Sequence, residues 1–330
     1  MSSDRPIFVV GCPRSGTTML QLMLHAHPRI ALPPESRFLI PAYQRRHRFG
    51  DLSEPAQRRA LAEFITGTSH FGDLALDRQA TIEAIVAAPP TLGSALGTVF
   101  QLYAQRFGKP RWGDKRPLYL RHLPTIRRLF PDAQIINIVR DGRDCVASLK
   151  EAPWISGDLD QLIDIWARSA DSSLRAARAY PADVYHQLRY EDLVADPVPH
   201  LRAICDFLGE EYDPAMARPC DLAPVAVPEY KTWHALTRAE VTTARVSSWQ
   251  TRLTAEEADR CEAIFGDRLT RFGYRLSTGC RRTPEIRAAR TWLTVRDKLG
   301  PARERAADVR GSLRARRRGP ALPARLESVS

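Results

Sequence analysis

Apolar residues fall in two rhythms along this chain. Ile7, Phe8, Val9 and Val10 form an unbroken run that ends at Gly11, the pattern of a short strand buried on both faces. Beyond it Met19, Leu22, Met23 and Ala26 recur at helical spacing, which predicts a helix starting near Thr17. The same order returns in "DAQIINIVRDGRDCVASLK": a strand over 135–139, a turn at "RDGRD", and a helix with Asp144 as its N-cap. A third strand is expected over 184–188 and a helix over 199–208. Residues 53–107 read as helices broken at "GTSHFG" and "AAPPTLG", and 161–179 as one amphipathic helix carrying Trp166. Strands that alternate with helices predict an α/β domain, its central and mainly parallel sheet flanked by helices. Residues 219–248 are Pro-rich and weakly periodic, which suits a long loop or lid.

Composition narrows this picture. The chain has 330 residues, 44% apolar and 8% aromatic, enough for one large globular α/β domain or two small ones. No run of about eighteen apolar residues occurs, so no membrane span is expected. The N-terminus enters a strand almost at once, which leaves no room for a signal peptide, and a cytoplasmic location is expected. The cysteines are Cys12, Cys145, Cys205, Cys220, Cys261 and Cys280; none forms a C-x-x-C pair or has a histidine at metal-site spacing. They suit a reducing compartment and argue against structural zinc. His25 and His27 stand two apart, on different faces of a helix, which argues against a metal pair there.

The net charge of +11 is uneven. Residues 281–330 hold 14 Lys and Arg against 5 Asp and Glu, leaving 35 against 33 for residues 1–280. The basic balance therefore belongs to an Arg-rich C-terminal extension, set apart from a domain over 1–280. Such a tail suits nucleic acid, an anionic lipid surface or an acidic partner; the plainer reading is a solvated, partly helical or disordered extension. Specific nucleic-acid binding is not expected.

The chemistry concentrates at "GCPRSGTT". It nearly spells the phosphate loop G-x-x-x-x-G-K-[ST], with Gly11 and Gly16 correctly spaced, but Thr17 stands in the lysine position and Arg14 lies inside the loop. Backbone N–H groups at the start of the helix can cradle an anion, and Thr17 and Thr18 add hydroxyls. In nucleoside triphosphatases the lysine serves the β and γ phosphates and the Ser/Thr holds magnesium. Without it, the loop fits a nucleotide bearing a 5′ phosphate, with Arg14 as its donor fork. The plainer alternative is a tight turn and helix cap without a ligand. "RDGRD" taken alone is equally a salt-bridged turn, with Arg143 paired to Asp141 or Asp144.

The two strings "FVVGCPRSGTTMLQLMLHAHP" and "IVRDGRDCVASL", in that order, resemble the signatures of sulfotransferases that use 3′-phosphoadenosine 5′-phosphosulfate (PAPS). The arginine-bearing loop is similar to that of bacterial sulfotransferases and protein-tyrosine sulfotransferases, not of the cytosolic animal enzymes that carry lysine there. The resemblance runs over roughly 6–275, is dense only at the motifs, and excludes the tail. It implies a single domain similar to nucleotide kinases, PAPS as sulfuryl donor with PAP as product, and no metal. It implies that Arg14, Ser15, Gly16, Thr17 and Thr18 bind the 5′-phosphosulfate, that Arg140 and Ser148 bind the 3′-phosphate, and that Tyr190 in "RYEDL" contacts the adenine.

Sulfuryl transfer needs reactants in line, charge neutralised on the leaving oxygen, and a base for the acceptor proton. Glu35 in "ALPPESRFL" matches the glutamate base of the resembling enzymes; its plainer role is to complement a helix N-terminus. Glu54 and Glu63 lie in helical segments and read as surface charges. His27 is the alternative base, since animal cytosolic enzymes use histidine, although its place on the first helix suits packing. Lys115 in "WGDKRP" matches a lysine that stabilises the bridging oxygen together with Arg14. Ser247 in "RVSSWQTRL" matches a serine near the leaving group, with Ser248 its competitor. The family sulfates small molecules, carbohydrates, lipids and peptide tyrosines, and the segments 38–110 and 150–180 would line the acceptor pocket. Two other readings remain: a small-molecule kinase using ATP and magnesium, and a non-catalytic nucleotide- or polyanion-binding protein.

Overall fold

Five short strands carry the architecture: β1 (Ile7–Gly11), β2 (Ile30–Ala31), β3 (Arg111–Lys115), β4 (Gln134–Val139) and β5 (Tyr185–Arg189). The structure is a computed structural model that describes residues 4–155, 157–218 and 241–277. The strands order as β2-β3-β1-β4-β5, every pair parallel, with Val9 opposite Lys115 on one side and Ile136 on the other. Parallel neighbours require crossovers, and helices supply them. They are α1 (Thr17–Ala26), α2 (Leu39–Arg45), α3 (Pro55–Thr66), α4 (Arg78–Ala87), α5 (Leu92–Arg106) and α6 (Leu123–Leu129). Next come α7 (Gly142–Lys150) and α8 (Leu159–Ala179), the last of the crossover helices, and after the final strand α9 (Tyr190–Ala195) and α10 (Pro197–Leu208). Then follow the short α11 (Trp249–Arg252), α12 (Ala255–Phe265) and α13 (Asp267–Arg271).

Side chains alternate across the sheet, so β1 feeds two cores. Phe8 and Val10 pack with residues of α2 to α5, and Phe8 meets the rings of Trp112, Tyr119 and Phe130 at 6.3, 6.1 and 5.4 Å. Ile7 and Val9 join Ile136 and Ile138 beneath α1, α9 and α10. A third core joins α7, α8, α12 and α13 around Trp166. This explains Gly142, where an added Cβ would lie 2.6 Å from the Trp166 ring and 2.7 Å from that of Phe265.

The α/β fold with a parallel sheet is as expected, and its main elements lie within a few residues of their expected limits. One boundary is corrected. The helix after β4 begins at Gly142, and its cap is Asp141, whose carboxylate accepts the Arg143 N–H; Asp144 lies inside the helix. Asp144 cannot cap because a distant segment takes its carboxylate, as described below. Most of the loop expected at 219–248, and the whole basic tail over 281–330, lie outside the described residues. No described helix is long and apolar enough to cross a membrane.

Candidate active site

The strand order sends the chain away from β1 in both directions. A crevice therefore opens at the carboxyl ends of β3, β1 and β4, the usual ligand position in such sheets. Lys115 ends β3, the loop 12–16 follows β1, and Arg140 follows β4.

The loop is shaped for an anion. Arg14 at φ 71° and Gly16 at φ 96° both occupy the left-handed region. Ser15 N–H donates to the Cys12 carbonyl at 3.1 Å, and Leu20 N–H to the Gly16 carbonyl at 3.1 Å. Among the described residues no side chain caps α1 at Gly16, which leaves its first-turn amides available to an anion. Gly16 is needed twice over: an added Cβ would lie 2.6 Å from the Tyr190 ring.

Two arginines converge on this loop. Arg14 Nε donates to Ser148 Oγ at 2.9 Å. Arg140 Nη1 donates to the Arg14 carbonyl at 3.0 Å, and Nη2 to the Arg245 carbonyl at 2.6 Å. The Arg140 guanidinium lies 4.5 Å over the Tyr190 ring, and Asp144 approaches it to 3.8 Å. Burial first, and Arg140 second, push the Arg14 pKa down from the arginine range. Two donors here are buried without a protein partner among the described residues, Ser15 Oγ and Arg140 Nε. Buried donors are ordinarily satisfied. Desolvated cations, orphaned donors and free helix amides together fit an anionic ligand.

The acid and lysine expected at the site also meet. Lys115 Nζ lies 2.8 Å from Glu35 Oε1 and 3.3 Å from Thr18 Oγ1, which ties the pair to the first turn of α1. The Lys115 side chain is 3% exposed and that of Glu35 20%, so the acid is the more accessible of the pair. Arg37 stands 3.5 Å from its other oxygen. His27 is buried with both ring nitrogens engaged, Nε2 with the Glu211 carbonyl at 2.8 Å and Nδ1 with Arg29 N–H at 3.1 Å. That is a packing role. Glu54 and Glu63 are exposed, as expected.

The Arg245–Trp249 segment is clamped onto α7. Asp144 accepts from Ser247 N–H at 2.9 Å, Ser248 Oγ at 3.0 Å and Trp249 N–H at 2.7 Å. Ser248 thus commits its hydroxyl to Asp144, whereas Ser247 is exposed with φ 56°. Burial pushes the Asp144 pKa up, opposed mainly by Arg140. Arg143 pairs with Asp141 at 2.6 Å, as one expectation had it, and also with Glu262, 119 residues away. Neither the Asp144 clamp nor Glu262 was legible in the sequence, because nothing local marks their partners. Glu191, beside Tyr190, was also missed; it accepts from Asp141 N–H at 2.9 Å and Tyr274 O–H at 2.8 Å. Among the described residues no cluster of His, Cys, Asp and Glu is arranged to hold a metal ion.

The model of the Sulfotransferase family matches residues 6–214. The chain is 27% identical over 212 residues to protein-tyrosine sulfotransferase A of Caenorhabditis elegans, covering 63% of this chain and 50% of that protein. It is 27% identical over 294 residues to the nodulation protein NoeE of Sinorhizobium fredii, covering 82% and 66%. The chain thus spans between half and two-thirds of the length of these curated relatives. Among solved structures it resembles the sulfotransferase domain of the Synechococcus PCC 7002 olefin synthase, with a TM-score of 0.56 and 25% identity, covering 83% of this chain and 96% of that one. The sulfotransferase domain from the curacin biosynthetic pathway shares the fold, with a TM-score of 0.57 and 20% identity over 84% of this chain and all of that one.

Proposed function

Because this chain belongs to the sulfotransferase family, we propose that it moves a sulfuryl group from PAPS to an acceptor hydroxyl. The observation that carries the choice of donor is the meeting of Arg14, Ser148 and Arg140 at a phosphate loop that lacks its lysine. The lysine that would serve a γ phosphate is missing from its loop position, where Thr17 stands, whereas a nucleotide with phosphates on both its 5′ and 3′ carbons would meet two guanidinium groups.

The 5′-phosphosulfate falls to Arg14, Ser15, Gly16, Thr17 and Thr18, and the 3′-phosphate to Arg140 and Ser148. Tyr190, stacked under Arg140 and against Gly16, borders the same cradle and would contact the adenine. PAPS, when bound, supplies an activated sulfuryl group whose bond to the phosphate oxygen breaks as the acceptor oxygen bonds to sulfur. Glu35, whose side chain is partly exposed, takes the acceptor's hydroxyl proton. Lys115 and Arg14 neutralise the charge left on the departing phosphate oxygen, and Ser247 adds a hydroxyl donor. Lys115 sits between Glu35 and Thr18, within reach of both the base and the loop.

Calorimetric titration with PAP, against ATP with magnesium, tests this reading. Tight PAP binding that Arg14→Ala weakens at least tenfold, with weak ATP binding, is the expected result. Tighter binding of ATP with magnesium overturns it in favour of a kinase.

A further inference from the structure

Asp114 is a fully buried carboxylate, at 0% exposure like Asp144, but its hydrogen bonds go to Ser36, Tyr119 and the Lys115 amide rather than to the anion cradle. It stands beside Lys115 on β3 but on the opposite face of the strand, where its register partner is Phe8. Three donors converge on it. Ser36 Oγ and Tyr119 O–H donate to Oδ2 at 3.0 and 2.8 Å, and Lys115 N–H donates to Oδ1 at 2.9 Å. Ser36 and Tyr119 are themselves fully buried. A carboxylate in an apolar core is costly, so its retention calls for a function that a hydrocarbon could not perform.

The sequence neighbours of these partners supply that function. Ser36 follows Glu35, and Lys115 follows Asp114. One carboxylate therefore holds the segment carrying the base to the strand carrying its lysine, across 78 residues of sequence. Gln21 on α1 holds the other side of Glu35, donating to the Pro33 carbonyl at 2.6 Å. The next residue, Arg37, takes φ 56°, a left-handed conformation that a non-glycine residue adopts only when its surroundings enforce it.

We propose that Asp114 is a positioning residue for sulfuryl transfer, setting the separation of Glu35 and Lys115 by clamping Ser36 to β3. This rests on the roles given to Glu35 and Lys115 above. Burial pushes the Asp114 pKa up to about 6, so near pH 7.5 the group is ionised and accepts all three donors. The titratable and charged groups around it are Lys115 on its own strand, Tyr119, and Arg116, whose guanidinium lies 5.9 Å from the Tyr119 ring.

Two substitutions in the full chain separate positioning from simple stability. Ser36→Ala and Tyr119→Phe each delete one hydroxyl donor to the same carboxylate oxygen, but only the first releases the Glu35 segment. At pH 7.5 the readouts are acetylation of Lys115 by an activated ester, normalised to Lys150 and followed by peptide mass spectrometry, PAP affinity by calorimetry, and PAP release from PAPS with water as acceptor. Ser36→Ala is expected to raise Lys115 acetylation at least fivefold and lower kcat at least tenfold, with PAP affinity and the KM for PAPS within twofold. Tyr119→Phe is expected to leave Lys115 acetylation and kcat within twofold of wild type while lowering Tm. Equal effects of the two variants, or a Lys115 that stays protected in Ser36→Ala, overturn the clamp. A chain that binds no PAP yet shows the acetylation contrast removes the donor assignment and supports the clamp.

Discussion

Gly16→Ala is the perturbation whose size the structure specifies best. Two separable terms act on the new methyl group. Gly16 has φ 96° and ψ 10°, where an L-residue is disfavoured by about 1–2 kcal/mol. The Cβ would also lie 2.6 Å from Cδ2 of Tyr190, a distance that real Cβ contacts do not reach. The ring cannot retreat freely, because it is 8% exposed and Arg140 lies 4.5 Å above it. Overpacking of this kind costs about 1–3 kcal/mol. Together they predict a loss of about 2–5 kcal/mol, or roughly 5–15 °C in Tm for a domain of this size. Gly108→Ala is the matched control, since Gly108 has φ 64° and nothing within 4 Å of an added Cβ. It should lose the conformational term alone. Adding Tyr190→Ala to Gly16→Ala should recover the contact term as a favourable coupling of about 1–3 kcal/mol in a double-mutant cycle. Denaturant unfolding of the four variants measures all of these quantities. Equal losses for Gly16→Ala and Gly108→Ala, with no coupling to Tyr190, would refute the packing of the loop on that ring.

Two further predictions concern the base and acid stability. Glu35→Gln keeps nearly the volume of the side chain but removes the proton acceptor, so PAP affinity should stay within about threefold while PAPS turnover falls at least 10²-fold, the usual scale of general base catalysis; normal turnover would remove Glu35 from the mechanism. Burial, then Lys109, pushes the His25 pKa down to about 3, and burial with Arg121 and Arg116 pushes that of His122 down to about 4, from an unfolded value of 6.5. Between those values the unfolded chain holds more protons, so stability is fully present above pH 6.5 and is lost as pH falls toward 4 and then 3. Denaturation midpoints at pH 7.5, 6 and 5 should decline in that order, and His25→Gln should flatten the decline; an unchanged slope in that variant would contradict the assignment.

Much of the candidate site was legible in the sequence because its chemistry is local. A phosphate loop needs a glycine at a left-handed position and the free N–H groups of a helix start, and both are written within "GCPRSGTT". The strand–loop–helix order around it followed from apolar runs and helical spacing for the same reason. Arg14, Arg140, Ser148, Glu35 and Lys115 were each identified by type and by resemblance, and residue type alone decides whether a side chain can hold an anion or take a proton.

What the tertiary structure decided is which of those groups face one another. Asp144 read as a helix cap, a role defined by its nearest neighbours, yet its carboxylate binds the backbone 103 and 105 residues further on. Ser248 is thereby separated from Ser247, two residues that are identical in type and adjacent in sequence. His27 was chemically able to act as a base until the Glu211 carbonyl and the Arg29 amide took its nitrogens. Asp114 carried no signal, because a buried carboxylate is distinguished only by the donors that surround it. Local rules reach about one helical turn along the chain, so the sequence alone determined the elements and their chemical repertoire. The pairing of those groups across the crevice depends on distances in space that no spacing along the chain encodes.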